Sequence, residues 1–97
     1  MTAKKSGNSL YTIKYLKSIR KDTSAFPKSV KLRIKNAING RIVTDPISNG
    51  ETLKGKFKGH WKLKIGSYRI IYRINTAERI VTITSIKHRK ESYRKKN

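Results

Sequence analysis

Lys62, Lys64 and Arg69 lie in the stretch Trp61-Lys62-Leu63-Lys64-Ile65-Gly66-Ser67-Tyr68-Arg69, and a second basic group, Lys87-His88-Arg89-Lys90, follows with Tyr93 and Arg94 behind it. Side chains of these types suit metal-free cleavage of RNA. In that reaction the 2′-hydroxyl attacks the adjacent phosphorus. The step needs a base for the hydroxyl proton, cations for the charged transition state and an acid for the departing 5′-oxygen. Arg69 and Arg89 fit the charge-stabilising part, because a planar guanidinium grips a phosphate through two parallel N–H groups. A lysine crowded by other cations gives up its proton more readily, which makes Lys62 or Lys64 a candidate base. His88 and Tyr93 are the remaining proton carriers, and Tyr93 is equally able to stack on a base. DNA has no 2′-hydroxyl, so the chemistry is confined to RNA.

These side chains need a sheet to carry them. Gly66-Ser67 fits a two-residue turn with glycine at its first central position, the type II′ hairpin signal. That turn pairs Ile65 with Tyr68, Lys64 with Arg69, Leu63 with Ile70, Lys62 with Ile71 and Trp61 with Tyr72. One face is then Trp61, Leu63, Ile65, Tyr68, Ile70 and Tyr72, which is core. The other carries Lys62, Lys64, Arg69 and Arg73 around Ile71, with cations opposed and no carboxylate in the pattern to relieve them. Directly opposed like charges cost stability, which favours a phosphate cradle over ordinary solvated strand residues. His88, Arg89 and Tyr93 leave the final strand and are expected to reach this face. The plainer alternatives are an exposed tail histidine and an anchoring tyrosine. Lys54, Lys62, Lys64, Arg73, Lys87, Lys90 and Arg94 are the candidate RNA-binding cations.

Upstream, Tyr11, Ile13 and Tyr15 alternate with Thr12 and Lys14 as in a half-buried strand. Leu16, Ile19 and Arg20 continue as a short helix that ends near Asp22, Thr23 and Ser24. Phe26, Val30, Ile34, Ala37, Ile38 and Ile42 recur at helical spacing, with Pro27 where a first turn tolerates it. The other face of this helix, Lys28, Lys31, Arg33 and Lys35, reads as a solvated surface. Asp45 to Gly50 reads as a loop. After the first hairpin, Asn75 to Glu78 closes a second one onto the strand RIVTITSIK. The order predicts an α+β fold: a small antiparallel sheet, one N-terminal strand plus three C-terminal strands, with two N-terminal helices packed on one face. Residues 1–97 are read as one domain, with 1–9 a polar lead-in and 87–97 a basic tail.

The 97 residues hold 25 Lys plus Arg against five Asp plus Glu, a formal charge of +20. So much self-repulsion in a chain with room for one modest core points to a polyanionic or acidic partner, nucleic acid first. A membrane surface is disfavoured, because the lysines are spread over strands and loops instead of one amphipathic helix face. No cysteine is present, which removes disulfides and thiolate metal sites; with His60 and His88 the only imidazoles, neither a metal nor another cofactor is expected. The polar N-terminus and the lack of any run near the roughly 20 apolar residues of a membrane span make the cytoplasm the default location.

Leu53-Lys54-Gly55, Trp61-Lys62-Leu63-Lys64, Ser67-Tyr68-Arg69-Ile70-Ile71-Tyr72, His88-Arg89 and the later Tyr93, in this order, resemble the RelE/ParE superfamily of type II toxin–antitoxin toxins, and its RelE branch in particular. Similar element order runs from about residue 10 to 94. The resemblance implies a metal-independent endoribonuclease that cleaves messenger RNA in the ribosomal A site and so inhibits translation. It also implies a cognate antitoxin, with the free toxin a monomer and the inactive form a hetero-oligomer. Carried over residue by residue, it assigns the strand lysines to Lys62 and Lys64, the arginine after tyrosine to Arg69, the later arginine to Arg89 and the C-terminal tyrosine to Tyr93. Some relatives use a histidine where His88 stands, and which group is acid and which is base stays open. Two other readings remain: a ParE-like inhibitor of DNA gyrase, which shares the tyrosine-arginine strand motif, and a non-catalytic RNA-binding module.

Overall fold

The computed structural model describes residues 10–90. The chain runs β1 (Thr12–Tyr15), α1 (Ser18–Thr23), α2 (Lys28–Ala37), a π-helical turn (Ile38–Ile42), α3 (Pro46–Asn49), β2 (Glu51–Thr52), a 3-10 turn (Gly55–Phe57), β3 (Trp61–Ile65), β4 (Tyr68–Asn75) and β5 (Ile80–His88). The class is α+β, as expected, but the sheet has five strands in the order β1-β5-β4-β3-β2. It is also not wholly antiparallel, since β1 lies parallel to β5. The helices carry the chain from one edge of the sheet to the other, and the last four strands meander back until β5 meets β1. A parallel neighbour needs a crossover of this kind.

Helix α2 begins after Pro27, whose carbonyl accepts the N–H groups of Val30 and Lys31 at 3.0 and 3.1 Å. Its apolar stripe continues through the π-helical turn, where the Val43 N–H reaches the Ile38 carbonyl at 2.9 Å. Ile34, Ile38 and Ile42 are thereby buried in one cluster with Ile19 of α1 and with Leu63, Ile70, Tyr72, Val81, Ile83 and Ile86 of the sheet. The helices therefore cover the face that carries Leu63, Ile70 and Tyr72, and the opposite face is left outward. Among the described residues no helix is long and apolar enough to cross a membrane.

Three features depart from the sequence reading. Asp45 to Gly50 is not a loop throughout: Pro46–Asn49 forms one helical turn, with Asp45 accepting the Ser48 N–H at 3.1 Å. An N-cap aspartate followed by proline stabilises such a turn even at this length. The fully buried Tyr72 donates its hydroxyl to the Pro46 carbonyl at 2.8 Å and fixes this turn to the sheet. Burial, and then the charge of Asp45, push the Tyr72 pKa up to about 12. Residues 51 and 52 form the extra strand β2 on the edge of β3. Finally, β5 is bulged: Ile71 pairs with Ser85 but Tyr72 pairs with Ile83, so Thr84 is the additional residue, and its hydroxyl donates to the Ile71 carbonyl at 3.2 Å.

Candidate functional site

The β3–β4 hairpin has the pairing read from the sequence, from Trp61 opposite Tyr72 to Ile65 opposite Tyr68. Gly66 takes φ 60°, and Ser67 is not among the residues with positive φ, as a type II′ turn requires. A substituent on the Gly66 Cα would approach the guanidinium of Arg33, from α2, at 3.2 Å, so the turn is also closely covered.

Beyond β4 the ladder adds residues that the hairpin alone does not reveal. Arg69 has Lys64 directly opposite on β3 and Lys87 directly opposite on β5. Side chains in such pairs share a face with Cβ atoms roughly 5 Å apart, so three cations form one row across the outer face. The bulge at Thr84 is what brings Lys87 into this row. Strict alternation from the buried Ile83 would turn residue 87 toward the core; the extra residue reverses the phase, so Ile86 is buried and Lys87 faces out.

The same reversal decides His88. It lies opposite Tyr68 on the helix-covered face, with the two rings edge to face at 4.9 Å, and its Nδ1 accepts the Lys90 N–H at 3.1 Å. The expectation that His88 projects over the lysine face is therefore corrected. Lys87 and His88 are residues of β5, and the basic tail begins after them.

Arg89 is held at the same end of the sheet as the cationic row. Its N–H donates to the Ser67 carbonyl at 2.7 Å, which ties the end of β5 to the turn that precedes Tyr68 and Arg69. Lys90 follows it and is exposed. Tyr93 and Arg94 lie outside the described residues.

The outer face does hold carboxylates, contrary to the sequence reading. Glu51 of β2 sits opposite Lys62 and pairs with its ammonium at 3.5 Å, leaving the lysine side chain 18% exposed. Asp22 of α1 meets Lys87 at 3.7 Å. It can do so because β1 ends at Tyr15 and α1 then runs along the uncovered edge of β5, starting from the Leu16 N–H bonded to the Ile83 carbonyl at 3.2 Å. Lys62 and Lys87 are thus tethered from the two sides. Lys64 is exposed and makes no ion pair among the described residues, and is the lysine directly across from Arg69. Glu51 and Asp22 were missed in the sequence, although in a chain with five acidic residues every one merits a search for the cation it serves.

Lys54 and Arg73 fall elsewhere. Lys54 precedes the 3-10 turn in the β2–β3 connection, at the end of β3 away from Gly66. Arg73 shares the outer face with Arg69 but lies four residues further along β4. The structure thus brings together Lys64, Arg69 and Lys87, places Lys62 beside them and Arg89 at the adjoining turn, and separates His88, Lys54 and Arg73 from that row.

Helices on one face of a small five-stranded sheet and a row of cations on the other define a small basic α+β toxin-like domain. Residues 10–93 match the model of the ParE toxin of the type II toxin–antitoxin system parDE, and the chain belongs to this family within the RelE/ParE superfamily of toxins. It is 26% identical to Toxin RelG of Mycobacterium tuberculosis over 85 residues, 88% of this chain and 98% of the relative. The toxin–antitoxin complex RelBE2 of M. tuberculosis contains a chain of similar structure, with a TM-score of 0.78 and 25% identity over 82% of this chain and 92% of that one. The fold is shared with E. coli RelE, a mutant of which was solved in complex with a peptide of its antitoxin; the TM-score is 0.65 at 20% identity, covering 79% of this chain and 81% of that one.

Proposed function

We propose that this toxin is a metal-independent endoribonuclease that cuts messenger RNA in the ribosomal A site and is neutralised by a RelB-type antitoxin. The observation that carries the reading is the row Lys64–Arg69–Lys87, with Arg89 tied to the adjoining turn. Opposed cations are costly in a free protein and become favourable when a phosphate lies among them. Arg69 and Arg89 stabilise charge on the phosphorane, and Lys64, exposed across from Arg69, is the first candidate for the 2′-hydroxyl proton. Lys62, drawn toward Glu51, serves better to orient the strand. Tyr93 remains the candidate for the leaving oxygen. RelB–RelE complexes solved from Pyrococcus horikoshii and Methanococcus jannaschii support an antitoxin as the partner.

The test uses ribosomes programmed with a defined messenger RNA, purified toxin, and primer extension to map new 5′ ends. Wild type cuts within the A-site codon, and Arg69→Ala does not. A second reading, inhibition of DNA gyrase, is favoured by the ParE family match. Intact messenger RNA together with loss of gyrase supercoiling in the presence of the protein would establish that reading and remove the first.

A further inference from the structure

The outer face has a second cationic place at its other end. Lys14 of β1 lies beside Thr82 of β5, and Thr82 lies opposite Arg73 of β4, so the three side chains cross three strands in one line. They line a groove of about 600 Å3 with Asn75, Thr76 and Glu78 of the β4–β5 hairpin. Lys14 and Arg73 are exposed. The hairpin is set by Asn75, whose Oδ1 accepts the Glu78 N–H at 2.9 Å, and by Arg79, which takes φ 54°.

Resting on the RNA-cleaving reading above, we infer that Lys14 and Arg73 form a second phosphate subsite for the same single-stranded RNA. Arg69 and Arg73 are four residues apart on one strand, which at ~3.3 Å per residue separates them by about 13 Å. That is the axial length of about four stacked nucleotides, or fewer extended ones. A strand gripped at Arg69 and running along β4 passes Ile71 and reaches the groove with a phosphate to place. Arg73 offers it a guanidinium, Lys14 a point charge, and Thr76 and Thr82 hydroxyls that bond phosphate oxygens or a 2′-hydroxyl. Glu78 reduces the positive charge of the groove, so this subsite is weaker than the Arg69 row and serves to hold the strand in register.

The subsite is tested by length dependence. Fluorescence anisotropy would follow 2′-O-methyl oligoribonucleotides, which have no free 2′-hydroxyl and are not cut, of two and of eight nucleotides over a range of salt. Wild type should bind the octamer more tightly and with a steeper salt dependence. Lys14→Ala with Arg73→Ala should lower the octamer's log–log salt slope by about 0.7, the value for one lost single-strand phosphate contact, and leave the dimer's affinity within about twofold. Glu78→Gln should tighten the octamer alone. An octamer indifferent to the double substitution, while Arg69→Ala still weakens the dimer, overturns this subsite and spares the cleaving-site reading. No binding of either oligomer, or a dimer indifferent to Arg69→Ala, removes both. Competition by poly-glutamate as effective as by unlabelled octamer would assign the groove to an acidic protein instead.

Discussion

Arg69 has Lys64 and Lys87 directly opposite it on the two neighbouring strands, and directly opposed like charges cost stability. Replacing Lys64 by glutamate would set opposite charges across the β3–β4 ladder. Lys64→Glu should therefore raise unfolding free energy by about 0.2 to 1 kcal/mol, measured by urea denaturation, and abolish cleavage on programmed ribosomes. A less stable Lys64→Glu would show that the row carries no repulsion to relieve. Arg69→Ala should slow single-turnover cleavage by about 100- to 1000-fold, the usual loss when a group aimed at developing charge is removed, with stability changed by less than about 1 kcal/mol. Arg69→Lys should not restore it, because an ammonium lacks the two-pronged donor geometry. Full activity in Arg69→Lys would reduce the role of Arg69 to that of a point charge.

At the scale of elements, α3 and β4 meet through one tyrosine and one glycine. The Tyr72 hydroxyl bonds the Pro46 carbonyl, and a Cβ on Gly50 would fall on that hydroxyl and lie 3.1 Å from the same carbonyl. Gly50→Ala should destabilise by about 1 to 3 kcal/mol, as overpacking of a fitted contact does. Tyr72→Phe should recover part of that loss in the double variant, since it removes the atom that clashes, and thermal denaturation of the four proteins measures the coupling. Additive losses would mean that the chain around Gly50 moves aside. This contact was not legible in the sequence, because Asp45, Pro46, Asn49 and Gly50 are all turn-forming residues whether or not a helical turn forms among them. The β3–β4 ladder was legible down to its register, since Gly66-Ser67 fixes the turn and period-two alternation fixes the faces. Strand β2 was not, because two residues have no periodicity and Glu51–Thr52 is a strand only through its pairing with β3. The bulge at Thr84 left no mark either: Thr-Ile-Thr-Ser-Ile reads equally well with or without a phase change. Without that phase change neither Lys87 opposite Arg69 nor His88 opposite Tyr68 follows from the sequence, and His88 reads as leaving a strand to which it still belongs.

The whole molecule carries a formal charge of +20, and its response to alkali combines two opposing effects. Loss of positive charge in alkali relieves self-repulsion and favours the compact state. Tyr72 acts the other way. Its pKa is raised from 10.0 to about 12 in the folded protein, so folding favours the protonated phenol. The corresponding stability is fully present below about pH 10, the unfolded value, and is lost as the pH rises through the folded value. Linkage puts the whole contribution at about 3 kcal/mol, of which about half is gone by about pH 11. Burial raises the Tyr15 pKa as well, with the same sign. Only a comparison with Tyr72→Phe separates this phenol from the lysines, which both proteins share. Between about pH 8 and pH 11 the stability advantage of wild type over Tyr72→Phe in urea unfolding should shrink by about 1 kcal/mol. A gap that stays constant would mean that Tyr72 ionises in the folded protein as readily as in the unfolded chain, and that its bond to Pro46 does not hold the phenol in its neutral form.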